Sequence, residues 1–231
     1  MSSAGSGAVR GLFITIEGPE GGGKTTQVEL LRDHLMARNV PVELTREPGG
    51  TWLGERIRNV LLATTDSAAA ATDPVSDALL FNAARRQLVE EVIRPALVSG
   101  TTVISGRFAD STLAYQGYGD GVALDDLRDL AAIATGGLMP DLTILLDLPV
   151  EIGLARKGPG DITRFEAEFD LDFHRRVRGG FLAIAVSEPE RFLVVDATQD
   201  VESIASAIVS SVDARYRTTS EPDPLVLRTN P

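Results

Sequence analysis

Gly18-Pro19-Glu20-Gly21-Gly22-Gly23-Lys24-Thr25 sets a run of glycines directly before a lysine and a hydroxyl, and it fits the pattern G-x-x-x-x-G-K-[ST]. Residues of these types at this spacing cradle phosphate. Glycines let backbone N–H groups converge on phosphate oxygens, a following helix adds the positive end of its dipole, and lysine carries a mobile cation to the β- and γ-phosphates. Thr25 is placed to ligate Mg²⁺, and Thr26 completes the stretch Gly18–Thr26 expected to hold a nucleoside triphosphate. A turn that only joined a strand to a helix would need neither the lysine nor the threonine.

The flanking sequence supplies the elements that such a loop requires. Leu12–Glu17 (LFITIE) reads as a buried strand, and Thr26–Arg38 has the helical spacing of Val28, Leu31 and Leu35. Further strands are expected at Val42–Thr45, Thr101–Ser105, Leu142–Asp147 and Phe192–Val195. Helices are expected at Leu53–Leu62, Ser76–Val98, from about Ser111, at Leu124–Thr135, from Val150, at about Glu168–Val186 and at Val201–Tyr216. Strands that alternate with helices imply parallel strands joined by crossovers, so an α/β fold with a five-stranded parallel sheet covered on both faces is expected. The domain spans residues 11–217, between a flexible arm (1–10) and a flexible tail (218–231), and Thr64–Asp73 reads as a low-complexity loop.

Composition narrows the function. The 231 residues suit one domain, and 43% hydrophobic with 24% charged residues is a globular balance. The net charge of −11 opposes binding to nucleic-acid polymers or anionic lipid. No apolar run is long enough to span a membrane and no apolar leader opens the chain, so a cytoplasmic protein is expected. With no cysteine and two histidines, any metal must be held by oxygen ligands. Twenty of the 22 basic residues are arginine, which leaves Lys24 and Lys157 as the only lysines. Neither N-K-x-D nor L-S-G-G occurs, which argues against a GTPase and a transporter ATPase and leaves a small-molecule kinase or a nucleotide-binding module without turnover.

Five further segments narrow it again: Thr45-Arg46-Glu47-Pro48-Gly49-Gly50-Thr51, Phe81-Asn82-Ala83-Ala84-Arg85, Ser111-Thr112-Leu113-Ala114-Tyr115-Gln116-Gly117, Pro140-Asp141-Leu142 and Asp196-Ala197-Thr198-Gln199. In order and approximate spacing the chain resembles the bacterial thymidylate kinases from residue 12 to about 212. The resemblance implies a three-layer P-loop kinase fold with a short lid at about 156–168, and transfer of phosphate from ATP to dTMP with Mg²⁺, usually by a homodimer. It also implies that Phe81 and Arg85 hold thymine, and a ring and a guanidinium four residues apart do share one helical face. Arg46, Arg58 and Arg107 would grip the dTMP phosphate, where a guanidinium fork binds two oxygens at once. Glu47, Pro48, Ser111, Thr112, Tyr115 and Gln116 would line the same site, with Thr112 and Tyr115 contacting thymine and crowding the sugar's 2′ position. Glu20 would orient the acceptor side. Because Gly22 stands where some relatives carry an arginine, the lid would supply the catalytic cation, from Arg156 or Arg164 beside Lys157. The expected catalytic set is thus Lys24, Glu20, Arg107, Arg156 and Arg164.

Two positions depart from that family. Gly106 precedes Arg107 where an aspartate is usual, which leaves the metal with Thr25, phosphate and water oxygens, and Glu20, Asp110 or Asp147 as substitutes for the missing acid; Asp120 stands where arginine is frequent. These changes keep two alternatives open. One is a thymidylate-kinase-like protein that binds nucleotides with weak or no turnover. The other is a kinase of a different deoxypyrimidine monophosphate.

Overall fold

Apolar side chains on both faces of the strands decide how the helices pack. In this computed structural model, which describes residues 10–62, 72–158, 163–165 and 169–220, five parallel strands lie in the order β2-β3-β1-β4-β5. They are β1 (Phe13–Glu17), β2 (Val42–Arg46), β3 (Thr102–Gly106), β4 (Leu142–Asp147) and β5 (Phe192–Asp196). Successive residues of β1 point to opposite faces. Ile14 and Ile16 join Ile104 and Leu146 under Leu31 and Leu35 of α1 (Lys24–Ala37) and Ile204, Ile208 and Val212 of a long C-terminal helix. Phe13 joins Val103 and Phe108 on the other face, against Leu88, Val89, Ile93 and Leu97. Burying both faces explains why the strands read as continuous apolar runs.

The remaining helices are α2 (Trp52–Leu62), α3 (Pro74–Leu88), α4 (Arg94–Val98), α5 (Ala109–Thr112), α6 (Leu124–Thr135), α7 (Val150–Ala155), α8 (Leu171–Ser187) and α9 (Val201–Ser220). The expected helix 76–98 starts two residues earlier, where the Asp73 carboxylate accepts from the N–H groups of Val75 and Ser76 with Pro74 at the first turn. It is also not uniform, because Val89–Ile93 widens into a π-helical turn between α3 and α4. A second π-helical stretch, Leu113–Gly119, follows α5 and packs on α8. Gly119 permits that contact: a β-carbon there would lie 2.6 Å from the Phe173 ring. The tail expectation is corrected at its start, since α9 runs on to Ser220 rather than ending at Tyr216. The arm (1–9), residues 63–71 and 221–231, and lid residues 159–162 and 166–168 lie outside the described residues.

Register brings the loops that matter to one edge. Ile16 and Arg46 both pair with Gly106, and Glu17 pairs with Leu145. The C-terminal ends of β1, β2 and β3 therefore finish within one residue of one another, and β4 runs two residues past the end of β1. Loops leaving that edge converge where the chain switches direction across the sheet, which is where open α/β sheets bind ligands.

Candidate active site

A cleft of about 890 Å³ opens at this edge, with the glycine-rich loop at one end and Phe81, Thr112, Tyr115, Gln116 and Phe165 at the other. Two glycines shape the loop. Gly23 has φ +81°, a left-handed conformation that favours glycine, and a β-carbon on Gly21 (φ +70°) would sit 2.0 Å from the Gly153 carbonyl oxygen of α7. No side chain caps the amides that open α1, and its first turn carries no acid. That end of the helix is left to attract an anion. Lys24 Nζ donates to the carbonyls of Gly18 (3.0 Å) and Pro19 (2.7 Å) across the same loop. Burial foremost, with help from Arg107, pulls its ammonium down to about 7 against the pull of Glu20 and Glu17.

Beside the loop lies a compact charged group. Glu20 Oε1 accepts from Arg107 Nη2 (2.7 Å) and from the Tyr115 hydroxyl (2.7 Å), and Oε2 faces Lys157 Nζ at 3.3 Å. Burial acts to raise the Glu20 carboxyl, but Arg107, Lys24, Lys157 and the Tyr115 hydrogen bond outweigh it and hold Glu20 well below the usual carboxylate range. Arg107 also donates to the Tyr115 hydroxyl (3.1 Å), Ser111 Oγ (3.1 Å) and the Gly18 carbonyl (3.2 Å). Arg46 and Arg58 line the cleft as well. Arg46 pairs with Glu55 at 3.0 Å, and Arg58 donates to the Pro48 carbonyl at 2.8 Å. Arg156 reaches the Ala197 carbonyl at 3.0 Å and the Gly21 carbonyl at 3.4 Å.

Two expected site residues sit elsewhere. Arg85 is 1% exposed and does not line the cleft. Its guanidinium is engaged behind the wall by Glu47 Oε2 (2.7 and 2.9 Å), Asn82 Oδ1, the Phe108 carbonyl and Thr112 Oγ1, because a buried guanidinium must find acceptors. Arg85 thus fixes Glu47 and Thr112, which do line the cleft, and the second Glu47 oxygen is buried without a partner among the described residues. Arg164 is also buried. It pairs with Asp77 of α3 at 2.5 Å and contacts Thr72, and so turns away from the phosphate end. What its segment delivers to the cleft is Phe165, edge-on to Tyr115 with centroids 5.5 Å apart and 6.3 Å from Phe81.

The stand-in acids for the metal are committed too: Asp110 pairs with Arg191 (2.6 Å) and Asp147 with Arg178 (2.7 Å). No group of three or more carboxylates or histidines suited to a metal exists among the described residues. Exposed Thr25 beside the cleft fits a hard divalent cation that brings phosphate and water oxygens as its other ligands, and the donor set fits no self-sufficient metal cage. At Gly106 a β-carbon would meet only the Arg46 β-carbon at 3.9 Å, so an acid there has room. Sequence reasoning missed Glu17, Asp77 and Phe165, none of which belongs to a recognisable string.

Comparison with known proteins agrees with this geometry. A family model described as thymidylate kinase matches residues 16–208. A thymidylate kinase of Deinococcus radiodurans is 52% identical over 209 residues, covering 89% of this chain and 98% of that protein. One from Thermomicrobium roseum is 53% identical over 202 residues, covering 87% and 93%. The crystal structure of thymidylate kinase from Ehrlichia chaffeensis superposes with a TM-score of 0.71 at 35% identity, covering 88% of this chain and 99% of that one. With the phosphate-binding loop, the parallel sheet and this likeness over most of its length, the chain belongs to the thymidylate kinase family.

Proposed function

We propose that the chain transfers the γ-phosphoryl group of ATP to dTMP, giving ADP and dTDP. The observation that carries this reading is the single cleft in which an uncapped helix N-terminus with Lys24 faces an aromatic wall of Phe81, Tyr115 and Phe165 across three arginines. One end suits a triphosphate and the other a pyrimidine. Between them, Arg46, Arg58 and Arg107 suit the acceptor phosphate, whose oxygen attacks the γ-phosphorus in line with the departing ADP oxygen.

No covalent intermediate is needed, so these residues act by position and charge. Lys24 leaves its two carbonyl partners for the phosphates, and Arg156 and Lys157, which contact the glycine-rich loop, line the same cleft and add positive charge for the transferred group. Glu20 keeps Arg107 and Tyr115 in place, which orients the acceptor and narrows the space beside its sugar. When bound, Mg²⁺ supplies charge neutralisation on the donor phosphates, and Thr25 is the residue that would hold it. The reading also includes a homodimer in the cytoplasm. Trp52, Leu53 and Val60 of α2 and Val75 and Leu79 of α3 are exposed on two helices that pack together, which suits association with a second copy.

The test is ADP release with ATP and Mg²⁺ across dTMP, dUMP, dCMP, UMP and AMP. A strong preference for dTMP is expected. Tight dTMP binding without turnover would support the weak-turnover alternative that Gly106 motivates, and preference for another monophosphate would replace the acceptor.

A further inference from the structure

Glu17 ends β1 and does not line the cleft, yet each hydrogen bond it makes leads toward it. Its side chain is completely buried. One carboxylate oxygen accepts from the Phe108 N–H at 2.6 Å and the other from the Ser111 hydroxyl at 2.6 Å. Ser111 Oγ in turn accepts from Arg107 Nη1 at 3.1 Å. Arg107 itself has φ +73°, a conformation that a residue with a β-carbon adopts only when its surroundings impose it. Its own N–H donates to the Ile16 carbonyl and its carbonyl accepts from Ser105 Oγ, so the turn is held from both sides, with Glu17 gripping the next residue and the guanidinium's neighbour.

Such a grip is costly to keep. Burial foremost, then Asp110, pushes the Glu17 carboxyl up to about 7, against the opposing effects of Arg107, Ser111 and the Phe108 N–H. The charged groups facing it are Asp110 of α5, itself paired with Arg191, then Arg107 on the turn after β3 and Lys24 of α1. A carboxylate at this position burdens the fold, and that burden has a use if the ionised form alone can accept two hydrogen bonds at once.

We propose that Glu17 is a positioning residue for phosphoryl transfer: its carboxylate, bridging the Phe108 N–H and the Ser111 hydroxyl, holds Arg107 in its strained turn and aims the guanidinium into the acceptor half of the cleft. Protonated Glu17 turns one acceptor into a donor, inverts the Ser111 link and competes with Arg107 for Ser111 Oγ. The alignment of Arg107 is therefore complete above neutral pH and weakens below it. This inference rests on the proposed reading that Arg107 meets the acceptor phosphate.

Glu17→Gln keeps the size and one acceptor while removing the charge. The measurements are kcat and KM for dTMP and for ATP from pH 6 to 9, with melting temperature at pH 8. Loss of an alignment used in the transition state should lower kcat/KM for dTMP by about tenfold or more and leave KM for ATP within about twofold. The acid limb of the wild-type profile near neutral pH should flatten, and the melting temperature at pH 8 should not fall, because a buried charge has been removed. Wild-type kcat/KM with an unchanged pH profile would overturn the proposal. So would equal losses toward both substrates together with a lower melting temperature, the signature of a purely structural role. Should that variant fail to fold, Glu17→Asp keeps the charge and shortens the reach, and the same dTMP-selective loss is expected, with wild-type kinetics overturning the claim. If the wild type proves to phosphorylate a different monophosphate, the acceptor assignment fails, and the same comparison with that nucleotide still decides the role of Glu17.

Discussion

Lys24 is surrounded by groups that act on its ammonium in opposite directions, and this sets what its removal should do. Burial brings it down to about 7, so the free protein loses this charge as pH rises through neutrality, while a bound triphosphate would restore it. Lys24→Ala should lower kcat by roughly 10²-fold or more, the scale for removing one donor to transition-state charge, with an unchanged far-ultraviolet circular dichroism spectrum. Turnover at the wild-type rate would remove Lys24 from the mechanism. Position 106 gives the opposite case, since a side chain has room there and only the Arg46 β-carbon lies near. Gly106→Asp should raise kcat without loss of melting temperature. An unchanged kcat would mean that the carboxylates already present suffice.

At the scale of elements, the phosphate loop is seated on α7 by close backbone contact, with Arg156 at the end of that helix reaching the Gly21 carbonyl. A β-carbon on Gly21 would overlap the Gly153 carbonyl, and one on Gly153 would lie 2.2 Å from the Glu20 carbonyl oxygen. Gly21→Ala should therefore cost about 2 kcal/mol or more in urea unfolding and weaken ADP binding, because the loop must lift from α7. Normal stability and binding would show that the two segments can separate freely. The aromatic wall is assembled differently, from α3 (Phe81), the π-helical stretch (Tyr115) and the segment anchored by Arg164 on Asp77. Phe81→Ala should raise KM for dTMP by about tenfold, the scale of one lost aromatic contact, and leave KM for ATP nearly unchanged. Equal effects on both would argue against stacking.

Across the whole molecule, buried acids carry opposite signs of pH dependence. Glu17, raised to about 7, and half-buried Asp120, raised to about 6 by burial and by Asp77, bind protons more tightly when folded than unfolded. Their cost to stability grows as pH rises from the ordinary carboxylate range toward 6–7 and is complete above it. Glu20 is held low, so its contribution is present above the ordinary carboxylate range and is lost on acidification. Melting temperature should thus decline between about pH 5 and 7, and Glu17→Gln should flatten that decline. The same slope in both proteins would place the raised proton affinity elsewhere.

Much was legible in the chain itself because it is local. Short apolar runs marked all five strands, the glycine-lysine-threonine string marked the phosphate loop, and the resemblance of the surrounding strings to one family marked Arg107. Both π-helical turns escaped notice, since a widened turn keeps a helical pattern of apolar residues and only neighbouring helices decide where it widens. Arg85 and Arg164 read as ligand-facing cations, yet their sites are set by Glu47 and Asp77, 38 and 87 residues away. Sequence determined which backbone could cradle phosphate; tertiary structure decided which of twenty arginines face the cleft, because a guanidinium buries where long-range folding supplies an acceptor.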